Sequence, residues 1–457
     1  MEQIVKNFIK ELGYENSIDE SQEKRVSKWL DWYKSKPKEY IYYVYNGKKK
    51  NKRLLKSLSI IPQSCEDISD FYFNEKLDIS IDNEEVQKKI NEVFDKNKFL
   101  YNSNKLMQLV KALGTGMYIP YLQDGVLKIN YVNATGIVIL DADNSDVKSV
   151  LAYSEKSNKI EITAHVLTEN GYVIYNREYK NINGSWMKTD LGEKVETIET
   201  NSFVPQFAMI YNTPVNNEDI SSNYGLSMYA NALDNVLAMD TAYDSLDNEI
   251  SSGKKRIYVK GGAIKFNIDE NGNTTAIFDD SDTTFYQIPG DEKDPMVKEE
   301  SGELRIDSIT DALQSQLNLY TSKIGLGHNY YKFKDGQTYV NTDNVISTNS
   351  DIYRKIKKQE NILTYALKDL IYAIAMLLGI KEQFSISINY DDSIIEDTEQ
   401  IRKQAQTEYN SGLISRQAYF RDVYKMNDET AKKYEQQIIK EQNESIENSI
   451  EEEPVIE

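Results

Sequence analysis

From about Gly225 to Ile250 the apolar residues Leu226, Tyr229, Leu233, Val236, Leu237, Tyr243, Leu246 and Ile250 recur at helical spacing, with no proline among them. A helix of that extent is roughly 40 Å long at about 1.5 Å per residue. A second stripe, Ile309, Leu313, Leu317, Tyr320 and Ile324, opens near Asp307. Between the two, Ser251 to Ile306 carries short strand-like runs, several turn signals and acidic stretches ("DDSDTT", "GDEKDP"). Two long helices therefore embrace a small β-rich insertion.

The rest of the chain is organised around that pair. The first hundred residues read as mainly helical: an amphipathic start at "MEQIVKNFIKELGYENS", then "SQEKRVSKWLDWYKSK" with Val26, Leu30 and Tyr33 on one face, ended by Pro37. Helices are expected over Asn83 to Asp95 and Asn102 to Leu113. The basic cluster Asn46 to Arg53 ("NGKKKNKR") follows the β-like "EYIYYVYNG" and is read as a solvated turn, with a phosphate contact as the alternative. From Met117 to Pro205 the period switches to two, cut by "QDG", "ENG" and "NING", which predicts antiparallel strands joined by hairpins. After the second long helix comes the polar loop "KFKDGQTYVNTDNVISTNS". A third helix is expected from about Asp351 to Leu378, with Gly379 as its stop. The strand "QFSISINYDD" follows, then a charged helical segment from Ile395 and an acidic tail. The pattern is α+β.

Composition removes several chemistries. Acidic residues number 73 against 54 Lys and Arg, a formal charge of −19, which excludes a generally basic nucleic-acid-coating protein. The one cysteine, Cys65, excludes a disulfide framework and a Cys-based zinc site. There are two histidines. His165 reads as a strand residue and His328 as a helix exit, so a His-based triad or metal centre is not expected. No Walker A motif occurs. "DADNSD" (Asp141 to Asp146) lacks the Gly and Glu spacing of a calcium loop and reads as a turn. The longest apolar run, "ILTYALKDLIYAIAMLLGI", contains Lys368 and Asp369, so a buried helix is expected rather than a membrane span. Charges at Glu2, Lys6, Lys10 and Glu11 interrupt any signal-peptide core, and a soluble cytosolic chain is expected. No catalytic, cofactor or metal residues are assigned.

Asp240, Asp244 and Asp247 share one face of the first long helix. A solvated face, an acidic interface or channel lining, and a cation site are all open readings of it; the last has only carboxylates to offer.

The order of parts resembles a tailed-bacteriophage portal protein over roughly Asn83 to Gln442. "IYNTPVNNEDISSNYGLSMYANALDNVLAMDTAYDSLDNEI" resembles that family's entry into its stem helix. "KALGTGMYIPYL" resembles the wing segment where a helix passes into a strand. "SINYDDSIIEDTEQIRKQAQTEYNSGLISRQAYFRDVYKMNDETAKKYEQQIIKEQ" resembles its strand-to-crown passage. The resemblance implies a structural, non-enzymatic virion protein. It implies a homo-oligomeric ring, usually of twelve, at one capsid vertex, assembled in the bacterial host cytoplasm. Its implied partners are double-stranded viral DNA, the terminase large subunit, a head-tail adaptor, and the major capsid and scaffolding proteins, with no membrane.

Carried onto this chain, the resemblance gives a wing over 1–221, a first stem helix within 222–250, a clip over 251–306 and a second stem helix within 307–325. The linker and tunnel loop take 326–350, a long wing helix and strand 351–392, the crown 393–443 and an acidic tail 444–457. It also implies DNA-tunnel contacts at Lys332, Lys334, Asn341, Asn344, Thr348 and Asn349. An acidic stem face at Asp240, Asp244 or Asp247 is expected to meet the bore or a neighbouring stem. Clip contacts to partners are expected at Lys254, Lys255 and Arg256. Two rival functions remain open at this point: another phage tail or baseplate component, and a carboxylate-dependent polysaccharide hydrolase.

Overall fold

A computed structural model describes residues 3–46, 49–73, 77–144, 146–192, 195–252, 256–260, 266–268, 274–276, 285–288, 297–300, 303–333, 345–390, 405–424 and 431–440. The chain is α+β.

The N-terminal helices are α1 (Gln3–Glu11), α2 (Glu20–Tyr33), α3 (Ile60–Ser69), α4 (Glu84–Lys96) and α5 (Phe99–Leu113). Asp19 caps α2 by accepting from the backbone amides of Ser21 and Gln22, and Asn83 caps α4 in the same way. Between α2 and α3 the strands β1 (Ile41–Asn46) and β2 (Lys49–Leu54) form an isolated antiparallel hairpin. The basic cluster read as a turn is thus mostly a strand, because Lys49 to Arg53 pair residue for residue with Asn46 to Tyr42.

After β3 (Asp78–Ile81), the period-two region builds two sheets. The strands β4 (Thr115–Gln123) and β5 (Val126–Asn133) pair with β12 (Ala208–Tyr211) in the order β12-β4-β5. The strands β6 (Ile137–Asp143), β7 (Asp146–Lys156), β8 (Lys159–Thr168), β9 (Gly171–Ile182) and β10 (Ser185–Lys188) form a meander, with β11 (Thr197–Glu199) also on β9. Strand alternation decides the layers. In β6, Val138 and Leu140 face one core with Val5, Phe8 and Ile9 of α1, whereas Ile137 and Ile139 face another with Met117 and Ile119 of β4. Tyr118, between those two, points the other way into the helical core with Phe99 and Leu106 of α5. The layers are therefore α1, the meander, the three-stranded sheet, and the helices. His165 lies in the core of β8 against Phe207, and burial lowers its pKa to about 4, so it is a neutral structural residue. The "DADNSD" carboxylates fall where β6 ends and β7 begins: Asp141 and Asp143 are in β6 and Asp146 opens β7.

The long helices are α6 (Leu233–Ser252), α7 (Ile306–Ile324) and α8 (Val345–Leu377). The α6 helix starts at Leu233 rather than Gly225: the Gly225 and Met228 amides donate to Thr115 and to the Lys111 carbonyl, and Ala230–Ala232 form only a short 3-10 turn before it. The α8 helix starts earlier than expected, so Val345 to Ser350, read as part of a polar loop, are helical. Between α6 and α7 the backbone forms short strands: β13 (Arg256–Lys260) pairs with β16 (Phe285–Ile288) and β17 (Val297–Glu300), and β14 (Phe266–Ile268) pairs with β15 (Thr274–Ala276). The apolar half of α8 is buried through Leu363, Ala366, Leu367, Leu370, Ile371 and Ile374, and no helix among the described residues is long and apolar enough to cross a membrane. The strand β18 (Ile386–Asn389) pairs with β3, tying the segment after α8 to the N-terminal part. Helical residues 405–410 and the helix α9 (Arg416–Tyr424) follow, then a helical stretch at 431–440.

Candidate functional site

Of the residues that the sequence singled out, α6 carries the acidic face Asp240, Asp244 and Asp247. Its approach is fixed by two glycines. At Gly114, which ends α5 with φ +86°, and at Gly225 the two backbones cross so closely that a Cβ on either would overlap the other's carbonyl oxygen. Hydrogen bonds hold the crossing: the Asn212 amide donates to the Gly114 carbonyl (2.9 Å) and the Gly225 amide to Thr115 Oγ1 (3.0 Å).

Beneath the crossing lies a buried polar knot. Lys111 Nζ donates to Asn212 Oδ1 (3.1 Å) and Gln359 Oε1 (2.8 Å). Gln359 Nε2 donates to the Tyr211 carbonyl (2.7 Å), and Asn212 Nδ2 donates to the Leu226 carbonyl (2.9 Å). The knot therefore joins α5, β12, the entry to α6, and α8. All three side chains are buried. Lys111 meets amides rather than a carboxylate here, and burial pushes its pKa down to about 7. The sequence reading missed these residues. The available signal was position: Lys111 follows Met107 and Val110 on the apolar face of α5, and Gln359 continues the Ile352, Ile356, Leu363 stripe of α8.

The acidic face of α6 turns out to be a grip on the chain's own hairpin. Asp240 is fully buried. It accepts from the Tyr40 hydroxyl, from Ser57 Oγ (2.8 Å) and from the Leu58 amide (2.9 Å). Burial raises its pKa, and those donors oppose the rise. Asp244 accepts from the Lys56 amide and the Tyr42 hydroxyl (3.2 Å each) and from Asn248 Nδ2 (3.0 Å). Asp247, partly exposed, pairs with Lys56 Nζ at 2.7 Å. The expectation that this face meets a bore or a neighbouring stem is corrected for Asp240 and Asp244, because the residues flanking β1 and β2 cover both carboxylates. The purely solvated reading falls for the same reason.

The two long helices are also tied to each other. Val236 and Met239 of α6 and Leu313, Leu317 and Tyr320 of α7 are buried in one core. Asn235 Nδ2 donates to Gln316 Oε1 (3.0 Å). At the far end Arg305 grips Glu249 with two nitrogens (3.1 and 2.8 Å), which holds the Glu249 pKa down at about 2.

The remaining predicted residues are not brought together. Lys332 is half-buried in the segment after α7, beside Tyr331, whose hydroxyl donates to Asp67. Thr348 and Asn349 fall in the first turns of α8, and Arg256 opens β13. Lys334, Asn341, Asn344, Lys254 and Lys255 lie outside the described residues. Among the described residues, no group of three or more His, Cys, Asp or Glu is placed to hold a metal ion.

The family model "Phage portal protein, SPP1 Gp6-like" matches residues 12–448. The chain belongs to that phage portal family, which is structural and not enzymatic. The polysaccharide-hydrolase reading is therefore withdrawn. No curated protein matches the chain. Among solved structures it is similar to a chain of the virion of a native gene transfer agent particle, at 10% identity with 80% of this chain and 88% of that chain covered and a TM-score of 0.39. It is also similar to a chain of the neck of an empty gene transfer agent particle with C6 symmetry, at 9% identity with 79% and 88% covered and a TM-score of 0.37.

Proposed function

We propose that the chain closes into a ring, of twelve copies by the family's habit, at one capsid vertex. Double-stranded DNA passes through it during packaging and ejection, and it receives the terminase and the head-tail adaptor. The observation that carries this reading is membership of the portal family over 12–448. The paired helices α6 and α7, bridged by a small strand-rich segment, support it as the stem and clip of such a subunit.

Electrostatics supports the same reading. Each neutralising cation in a bore adds counterion-release affinity for DNA and brakes sliding. At −19 per subunit, twelve copies carry about −228, screened beyond a Debye length of ~8 Å. Asp234, Asp307 and Asp311 are the exposed carboxylates of the described parts of α6 and α7, and they replace Asp240 and Asp244 as the acidic lining in this proposal. Lys332 and Lys334, with the polar residues around Asn341 to Asn349, are proposed as a few weak DNA contacts. Lys254, Lys255 and Arg256 are proposed as charge-complementary contacts for terminase or adaptor.

Electron microscopy of the purified chain tests the ring. For the contacts, K332Q/K334Q is expected to change DNA retention with rings intact, and loss of rings instead would make these lysines structural. K254E/K255E is expected to weaken terminase binding, and unchanged binding would remove the clip assignment.

A further inference from the structure

The conduit reading leaves the β1–β2 hairpin without a role. Between Tyr40 and Cys65 the sequence holds six Lys and Arg residues and no Asp or Glu, in a chain of net −19. The structure turns that bias into a surface. Tyr43 stands opposite Lys52, and Tyr45 opposite Lys50, so these four positions share one face of the hairpin. Tyr43 is half-exposed, Lys50 and Lys52 are exposed, and Lys50 Nζ sits 3.9 Å from the Tyr43 ring centroid. Arg53 is exposed on the opposite side of the same strand. Among the described residues, no carboxylate pairs with Lys50, Lys52 or Arg53.

We propose that this hairpin, through Tyr43, Lys50, Lys52 and Arg53, is a sequence-independent contact for the phosphate backbone of duplex DNA. The proposal rests on the conduit reading, which brings DNA to the ring. Three physical points carry it. Net charge does not decide the matter, because a Debye length of ~8 Å separates the hairpin's field from distant carboxylates. Lysine is depleted where proteins meet proteins, whereas Lys, Arg and Tyr are the usual donors to phosphate oxygens. Finally, a two-stranded hairpin is marginal by itself. Here Asp240 and Asp244 clamp Tyr40, Tyr42 and 56–58 at its root, so the cations are held in place before a ligand arrives and little ordering cost remains.

The test uses the full-length wild type and K50A/K52A/R53A, each checked for rings and for its denaturation midpoint. Binding to a fluorescent duplex of mixed sequence is then titrated with KCl. The proposal expects the triple variant to form rings with an unchanged midpoint. Its slope of log K against log[salt] should fall by about 2 to 3, at about 0.9 per lost phosphate contact, with affinity at low salt down about tenfold or more. K50R/K52R should keep wild-type slope and affinity. An unchanged slope in the triple variant overturns the proposal. So does a folded triple variant that no longer forms rings, since the hairpin would then dock on a neighbouring copy. Rings with an axial opening but an unchanged slope sink the hairpin contact alone. Absence of rings from the wild type sinks the conduit reading, while the slope comparison still judges the hairpin.

Discussion

The root and the body of one short hairpin, within 40–58, treat charge in opposite ways. At its root, Asp240 and Asp244 are covered and fully engaged by hydroxyls and amides of the same chain. A few residues away, Lys50, Lys52 and Arg53 stand in solvent with no carboxylate beside them among the described residues. In the sequence both are sets of like charge, one on a helix face and one in what reads as a turn. The difference is whether the charge is answered inside the subunit or left for something outside it. Buried charge survives only when hydrogen-bonded, so the root is a stability element. Exposed charge adds little to stability, so the tip is available for binding.

Substitutions break this comparison in a definite order. The largest loss is expected away from both, at the glycine crossing that leads toward α6. G114A or G225A drives a Cβ into backbone, which cannot yield, and should cost more than about 4 kcal/mol or give no soluble protein. By contrast, G125A, in the open β4–β5 turn at φ +72°, should cost about 1 kcal/mol. Denaturant midpoints of the two separate a close crossing from simple backbone strain.

Next comes the grip itself. D240A leaves the Tyr40 hydroxyl, Ser57 and the Leu58 amide without their acceptor and should cost about 3 kcal/mol. D247A removes only a half-exposed pair and should cost below about 0.5 kcal/mol. Equal effects for the two would dissolve the distinction between gripped and free charge.

Readable only against pH is Lys111. Its folded pKa is depressed to about 7, below the unfolded lysine value. Below pH 7 both states hold the proton, and this group contributes no slope. Between about 7 and 10 the unfolded chain binds a proton that the folded chain does not, so stability should rise with pH. Relative to K111M, the wild type should gain about 1 kcal/mol per pH unit in that window. A flat difference would mean that Lys111 stays charged in the knot. The smallest effect on stability belongs to the tip: K50A/K52A/R53A should leave the midpoint within about 0.5 kcal/mol.

Much of the fold was legible because periodicity is a local property. The α6 and α7 stripes and the turns at "QDG", "ENG" and "NING" follow from neighbours in sequence. Several misreadings were tertiary. Residues 225–232 carry a helical apolar pattern, yet the Gly225 and Met228 amides are claimed by Thr115 and Lys111 at the Gly114 crossing. Lys49 to Arg53 look like a polar turn, but pairing to a tyrosine-rich strand makes them β2. Asp240 looks solvated until the residues flanking β1 and β2 close over it. Lys111 and Gln359 were visible only as polar residues on apolar stripes, and nothing local says that they meet.

The central claim is that identical copies close around an open axis. Electron microscopy of the purified full-length chain addresses it most directly. The account predicts annular particles of uniform copy number with an axial opening wide enough for duplex DNA. A folded chain that stays monomeric across salt and concentration, with no annular particles, would contradict it.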